Sequence, residues 1–235
     1  MAGPVWSVGN CSLFRLLNET QLRELEKYAR VRTYPKNNAL YCPRDTADGV
    51  FLVASGRVRL CSTTSDGKQA ILAFVEPGEI FGELALLDSG EREERAETVV
   101  DSTIVLLSAE RLRLLMNTSI DLTLGVTKLI GLRRLRVERR LRSLLFRSNR
   151  ERLVHLLVDL AGQYGKSTKD GLLIDIKLSH QELASIIGST RETVTATLGE
   201  LQQSGLLTIG RQRIAILDIR RLAIEANLPV PLANK

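Results

Sequence analysis

Residues 119–147 hold no proline and two glycines, Gly125 and Gly131, and their apolar residues recur every three or four positions. At 1.5 Å per residue this pattern predicts a helix of about 43 Å, longer than a small domain is wide. A chain with such a helix past its midpoint must build something compact on either side of it. Such a helix either packs on its own domain or, as is commoner for a solitary helix of this length, pairs with its own copy. The expected dimerisation seam is Leu122, Val126, Leu129, Arg133, Val137, Leu141 and Leu144, a narrow stripe interrupted by Arg133. The arginine run from Arg133 to Arg142 is either a solvated face or a magnet for phosphates.

Before this helix the chain reads as one small helix, Glu19–Ala29, followed by short strands. Glycine recurs at Gly49, Gly56, Gly67, Gly78, Gly82 and Gly90, and strand-like runs lie between, at Gly49–Ala54, Arg57–Cys61 and Gln69–Val75. Asp66-Gly67 between two such runs signals a hairpin. Many short strands with frequent turn signals suggest a small barrel or sandwich. Ser108 then caps a helix start, SAERLRLLM.

The 235 residues allow one or two domains. With 44% hydrophobic and 26% charged residues the chain is globular rather than disordered. No apolar run approaches the roughly 18–20 residues of a membrane span, and the opening MAGPVWSVGN lacks the build of a signal peptide. Cys11, Cys42 and Cys61 are odd in number and scattered, which suits a reducing cytoplasm better than a disulfide scaffold. The net charge of +6 hides an asymmetry. Residues 1–110 carry 12 basic against 16 acidic residues, and residues 111–235 carry 21 against 11. A polyanion is therefore expected at the second half, whose balance is +10.

That half contains an amphipathic helix, Glu151–Gln163, a polar loop, Gly165–Gly171, and a strand-like alternation, Leu172–Lys177. Ser179, His180, Gln181 and Glu182 have capping-box spacing ahead of a one-sided apolar helix with Leu183, Ile186 and Ile187. Gly188 allows a turn. Ser189, Thr190, Arg191 and Glu192 then read as a second capping box, opening a helix with Val194, Leu198 and Leu201 inward. Two short helices joined by a glycine turn form a helix-turn-helix pattern. Its second helix starts with Arg191, Glu192, Thr195 and Ala196, where such helices meet base edges. Arginine can donate twice to guanine, glutamate can accept from cytosine N4, and threonine or alanine can pack on a thymine methyl. Ser179 and His180 open the first helix, where His180 is a candidate phosphate contact. Leu206–Leu217 reads as a hairpin whose Arg211 and Arg213 would touch phosphates as a wing.

Four stretches together resemble the Crp/Fnr superfamily of bacterial transcription regulators: residues 33–60 (TYPKNNALYCPRDTADGVFLVASGRVRL), 66–90 (DGKQAILAFVEPGEIFGELALLDSG), 102–116 (STIVLLSAERLRLLM) and 172–209 (LLIDIKLSHQELASIIGSTRETVTATLGELQQSGLLTI). The resemblance covers roughly residues 12–217. The stretch KLSHQELASIIGSTRETVT is most similar to the cyanobacterial global nitrogen regulator branch. The resemblance implies an α+β chain with an N-terminal cyclic-nucleotide-binding-type β-barrel (jelly roll), a long dimerisation helix and a C-terminal winged helix-turn-helix. The corresponding parts are 1–118, 119–148 and 149–235. It implies a cytoplasmic homodimer on palindromic double-stranded DNA, working with RNA polymerase under a small-molecule effector. Arg191 and Glu192 fall on the family's base-reading pair. The second base-reading arginine of relatives is Ala196 here, which implies a different half-site.

In cyclic-AMP-binding relatives a Gly-Glu pair holds the ribose and an Arg-Ser pair holds the phosphate. The Gly-Glu falls on Gly82 and Glu83, with Leu84 next. The arginine is Arg92 by ungapped counting, or Arg95 after a short insertion, and neither is followed by serine. The adenine-touching Thr-Ser pair falls near Val137 and Glu138. The carboxylates of Glu91, Glu93 and Glu94 would repel a phosphate by about 1–4 kcal/mol each. These departures argue against cyclic AMP and leave 2-oxoglutarate, another nucleotide, or no ligand. Glu83 is either an effector contact or a residue of loop geometry. Three scattered cysteines do not make an iron–sulfur site. Residues 31–108 contain no histidine, which argues against a metalloenzyme of cupin type. His155, on an apolar helix, reads as packing. A regulatory module acting on a protein partner is the alternative to a DNA-binding regulator, and neither is an enzyme.

Overall fold

The computed structural model describes residues 11–63, 69–87, 90–169, 171–210 and 212–228. The chain forms two compact units that divide between Arg136 and Val137, inside the long helix.

The first unit begins with α1 (Glu19–Lys27), two residues shorter than the sequence suggested and started by a reciprocal capping box between Asn18 and Gln21. Eight strands follow: β1 (Arg30–Tyr34), β2 (Ala39–Tyr41), β3 (Gly49–Ser55), β4 (Val58–Thr63), β5 (Gln69–Val75), β6 (Ile80–Phe81), β7 (Arg95–Thr98) and β8 (Ser102–Ser108). They pair antiparallel in two sheets, ordered β1-β8-β3-β6 and β2-β7-β4-β5. That order is the double winding of a jelly roll. β3 sits between two neighbours and is buried on both faces from Gly49 to Val53, so GVFLV reads as a continuous apolar run without alternation. β4 and β5 pair from Val58↔Val75 to Thr63↔Gln69, the hairpin that Asp66-Gly67 signals; those two residues themselves lie outside the described ones.

Ser108 caps α2 (Ala109–Thr118), its hydroxyl accepting from the amide of Arg111. α3 then runs unbroken over Ile120–Phe146, 27 residues. Its first turns complete the core of the first unit: Leu122 and Val126 are buried with Phe14, Leu25, Leu107 and Leu112.

The second unit contains α4 (Asn149–Tyr164), β9 (Gly165–Thr168), β10 (Gly171–Ile174), α5 (His180–Ile187), α6 (Arg191–Gln203), β11 (Leu207–Gly210), β12 (Arg213–Ile216) and α7 (Ile219–Glu225). Its sheet is ordered β11-β12-β10-β9. The expected polar loop 165–171 is thus largely a strand. Lys166, Ser167 and Thr168 are exposed on the sheet's edge, where polar residues guard against further pairing. Leu153, Leu157, Leu183, Leu198, Leu201 and Leu222 are fully buried and tie the helices together.

His155 on α4 is partly buried, and burial followed by the nearby Arg147 charge lowers its pKa from the ordinary 6.5. The unfolded chain therefore takes up a proton at higher pH than the folded one. Stability contributed by neutral His155 is present above about pH 6.5 and is lost as pH falls through the lower folded value. Urea unfolding between pH 7.5 and 5.5 should show this decline, and a His155→Gln variant should flatten it. An unchanged slope in the variant would assign the decline to other groups.

Candidate functional site

The helix-turn-helix is built from its caps. The Ser179 hydroxyl accepts from the Glu182 amide at 3.2 Å, and the Glu182 carboxylate accepts from the Ser179 amide at 2.8 Å. These satisfy two donors that a helix start leaves orphaned. α5 ends at Gly188, whose φ of +66° is left-handed. A residue with a Cβ is disfavoured in that conformation.

The start of α6 corrects the sequence reading. The cap is Thr190, whose hydroxyl accepts from the Thr193 amide at 3.2 Å. Ser189 lies before it and sends its amide back to Ala184. The helix begins one residue later than a Ser189 cap would give. Glu192 then stands at the second helical position, off the spacing at which a carboxylate reaches back to the cap. The described contacts contain no such box at α6.

Val194, Thr197, Leu198 and Leu201 are buried, and Arg191, Glu192, Thr195 and Ala196 are exposed on the opposite face. The Thr195 hydroxyl donates to the Arg191 carbonyl at 2.9 Å and lies 2.8 Å from His180 Nδ1. With its one proton spent on the carbonyl, Thr195 accepts from His180, so Nδ1 carries the hydrogen. His180 thus fastens the two helices together, a contact that residues fifteen apart do not announce locally. In the hairpin, Gly210 pairs with Arg213 across the tip, and Arg213 is exposed. Arg211 lies outside the described residues.

In the first unit, Gly82 is left-handed and starts a 3-10 turn over Glu83–Leu86. Glu83 is buried and forms an ion pair with Arg133 of α3, which also donates to the Ile80 carbonyl. Burial lowers the pKa of Arg133, while the charge of Glu79 opposes that shift. The residue expected to interrupt a dimer seam instead ties α3 to its own barrel. Leu84 is exposed.

Arg92 is buried and donates to the carbonyls of Gly82 at 3.0 Å and Gly49 at 2.5 Å. Its guanidinium lies 4.6 Å from the Tyr41 ring centre and 5.4 Å from that of Phe51. Arg95, on β7, pairs with Glu97 at 3.1 Å, and Glu97 also takes Arg59 at 2.6 Å. Glu94 accepts from the Tyr41 hydroxyl at 2.7 Å. Burial, followed by the Glu94 charge, pushes the Tyr41 pKa far above its usual range. Glu91 and Glu93 are exposed, so of the three carboxylates Glu94 alone is engaged by this cluster. Val137 and Glu138 belong to the second unit and are not brought together with Gly82 and Arg92 within one unit.

The structure divides the expected dimer seam: Val137, Leu141 and Leu144 are exposed, while its first positions are spent on the chain's own core. Leu122 and Val126 have almost no exposed surface, and Leu129 packs against the same core. Spacing of three or four marks a buried face, but the burial here is supplied by the chain's own first unit. The outward face of α3 carries Ile120, Leu124, Leu135 and Leu145, all exposed, and Gly131, beside which a Cβ would meet nothing.

Comparison with known proteins agrees with this architecture. Residues 31–119 match the cyclic nucleotide-binding domain family, and residues 151–224 match the Crp-like helix-turn-helix domain family. The chain is 34% identical over 211 residues to a global nitrogen regulator of Synechococcus elongatus, covering 88% of this chain and 92% of that one. It is 31% identical to a cyclic AMP receptor protein of Thermus thermophilus, covering 88% and 91%. Among solved structures, the c-di-GMP responsive global regulator CLP of Xanthomonas campestris superposes with a TM-score of 0.76 at 26% identity, covering 86% of this chain and all of that one. These relatives are regulators, not enzymes. With a jelly roll, a long helix and a winged helix-turn-helix in the family's order, the chain belongs to the Crp/Fnr family of transcription regulators.

Proposed function

We propose that two copies of this chain bind a palindromic promoter site in the cytoplasm and act on transcription through RNA polymerase, under a small molecule sensed by the barrel. The observation that carries this reading is the exposed face of α6, where Arg191, Glu192, Thr195 and Ala196 stand clear of the packing that holds the helix. Arg191 and Glu192 read base edges, Ala196 meets a methyl or a bare edge, and Arg213 takes phosphate. Ser179, His180, Ser189 and Thr190 hold the two helices in register and lie beside the backbone. The three functional parts are 1–118 for sensing, 119–148 for dimerisation and 149–235 for DNA.

Selection of bound duplexes from random DNA tests this, repeated with cyclic AMP and with 2-oxoglutarate. The expected product is an inverted repeat with half-sites about 34 Å, one helical turn, apart. No enrichment under any condition would reject it. Any effector acting at the barrel must favour one state over the other to shift the equilibrium. In this structure it would meet Glu83 already paired and Arg92 already committed to two carbonyls.

The division of α3 between buried and exposed leucines makes its own prediction. A Leu124→Arg variant should sediment as a monomer while keeping its melting behaviour, and should lose the roughly 100-fold or greater benefit of bivalent binding. Leu122→Ala should instead cost about 2–5 kcal/mol of folding stability. The reverse pattern would restore the original seam.

A further inference from the structure

α5 leaves its last carbonyls without intrahelical donors, as every helix does. The amides of Gly188 and Ser189 both return to the Ala184 carbonyl, so Ser185, Ile186 and Ile187 need partners from elsewhere. Two guanidiniums supply them. Arg140, on α3, donates to the Ile186 carbonyl at 2.6 Å and to that of Ser185 at 3.3 Å. Arg152, on α4, donates to the Ile187 carbonyl at 2.8 Å. One turn past Arg140, Leu144 lies so close to the Gly188 turn that a Cβ on Gly188 would stand 3.0 Å from its Cδ2. The last turns of α3 therefore grip the turn that leads directly into the Thr190 cap of α6. All of these contacts lie within the second unit.

The chemistry suits a rigid joint. One terminal nitrogen of Arg140, Nη2, donates to both adjacent carbonyls, and the planar guanidinium fixes its direction more firmly than a flexible ammonium would. A cation at a helix C-terminus also meets the negative end of the macrodipole. Burial lowers the pKa of Arg140, so the contact carries a desolvation cost that its hydrogen bonds offset.

We propose that Arg140 is a positioning residue for DNA reading: it fixes α5, and through the Gly188 turn α6, to the end of α3, so that rotation of α3 is delivered to Arg191 and Glu192. The inference rests on the DNA-reading function proposed above. It gives the arginine run a role distinct from a solvated face and from direct phosphate attraction.

The test compares the parent, Arg140→Gln and Arg140→Lys on two labelled duplexes, the selected site and a scrambled one of equal length, across a salt series. Arg140→Gln is expected to lose about tenfold on the selected site, to keep its affinity for the scrambled duplex, and to keep the salt slope. Arg140→Lys, which keeps the charge on a flexible ammonium, should fall between. Equal loss on both duplexes with a salt slope smaller by about one overturns the inference, because Arg140 would then be touching phosphate. Loss below about twofold on the selected site overturns it too. If Arg140→Gln is unfolded at the assay temperature, Arg140→Lys decides: a loss confined to the selected site supports the inference, and parental affinity there rejects it. A parent that binds both duplexes alike rejects the DNA-reading function itself, and this inference with it.

Discussion

An Arg133→Met variant should lose about 3 kcal/mol of unfolding free energy, and Glu83→Gln combined with it should recover most of that loss. The reason is the asymmetry of buried ion pairs. Removing one partner strands the other in a poorly solvated site, at a cost of about 3–5 kcal/mol, whereas replacing both with neutral groups is often nearly harmless. Glu83 keeps 7% of its side-chain surface and Arg133 keeps 25%, so the lower end of the range applies. The Ile80 carbonyl loses a donor as well. Urea denaturation of the single and double variants measures the cycle. A single variant within about 1 kcal/mol of the parent would mean that water already reaches the pair. Because α3 is the arm that Arg133 ties down, the single variant should also report on DNA: selected-site affinity ought to change where the double variant restores folding but not the tie.

Arg191→Ala should cost about 1–3 kcal/mol at each half-site, so about 2–6 kcal/mol for a dimer on a palindrome. The loss should fall on one base position per half-site. Selection with the variant should return the same repeat with that position relaxed, and the salt slope should be little changed. Arg213→Ala is the contrast, with weaker binding on every sequence and a slope smaller by about one for each phosphate that the arginine neutralises. If Arg191→Ala returns the parental sequence at every position, Arg191 does not read a base.

Local signals are legible in the sequence. The box at Ser179 and Glu182, the cap at Ser108 and the length of α3 each depend on residues within a turn of one another, and all three stand in the structure. Thr190 shows the limit of that resolution. Ser189 and Thr190 are both good caps, and the choice between them follows from where Gly188 releases the chain. The first half of the seam on α3 departs from expectation for a deeper reason. Periodicity reveals that Leu122 and Val126 are buried but not by which surface, and Leu112, on the preceding helix, helps to supply that surface. Arg133 and Glu83 lie fifty residues apart, and nothing in a helical pattern names a partner at that distance. β9 escapes a reading by pattern because an exposed edge strand has no apolar face to advertise.

Gly82 has a consequence beyond its turn. With φ at +71° it is already in a conformation other residues resist, and a Cβ there would stand 2.6 Å from the Arg92 guanidinium. That guanidinium is held by the carbonyls of Gly82 and Gly49, so moving it aside gives up those hydrogen bonds. Neither position can drift independently. A side chain at 82 presses on Arg92, and a smaller residue at 92 removes a donor from the Gly49 and Gly82 carbonyls, of which that of Gly82 keeps the Ala85 amide. In a diverging lineage the two sites should behave as one inherited character, changing together or not at all.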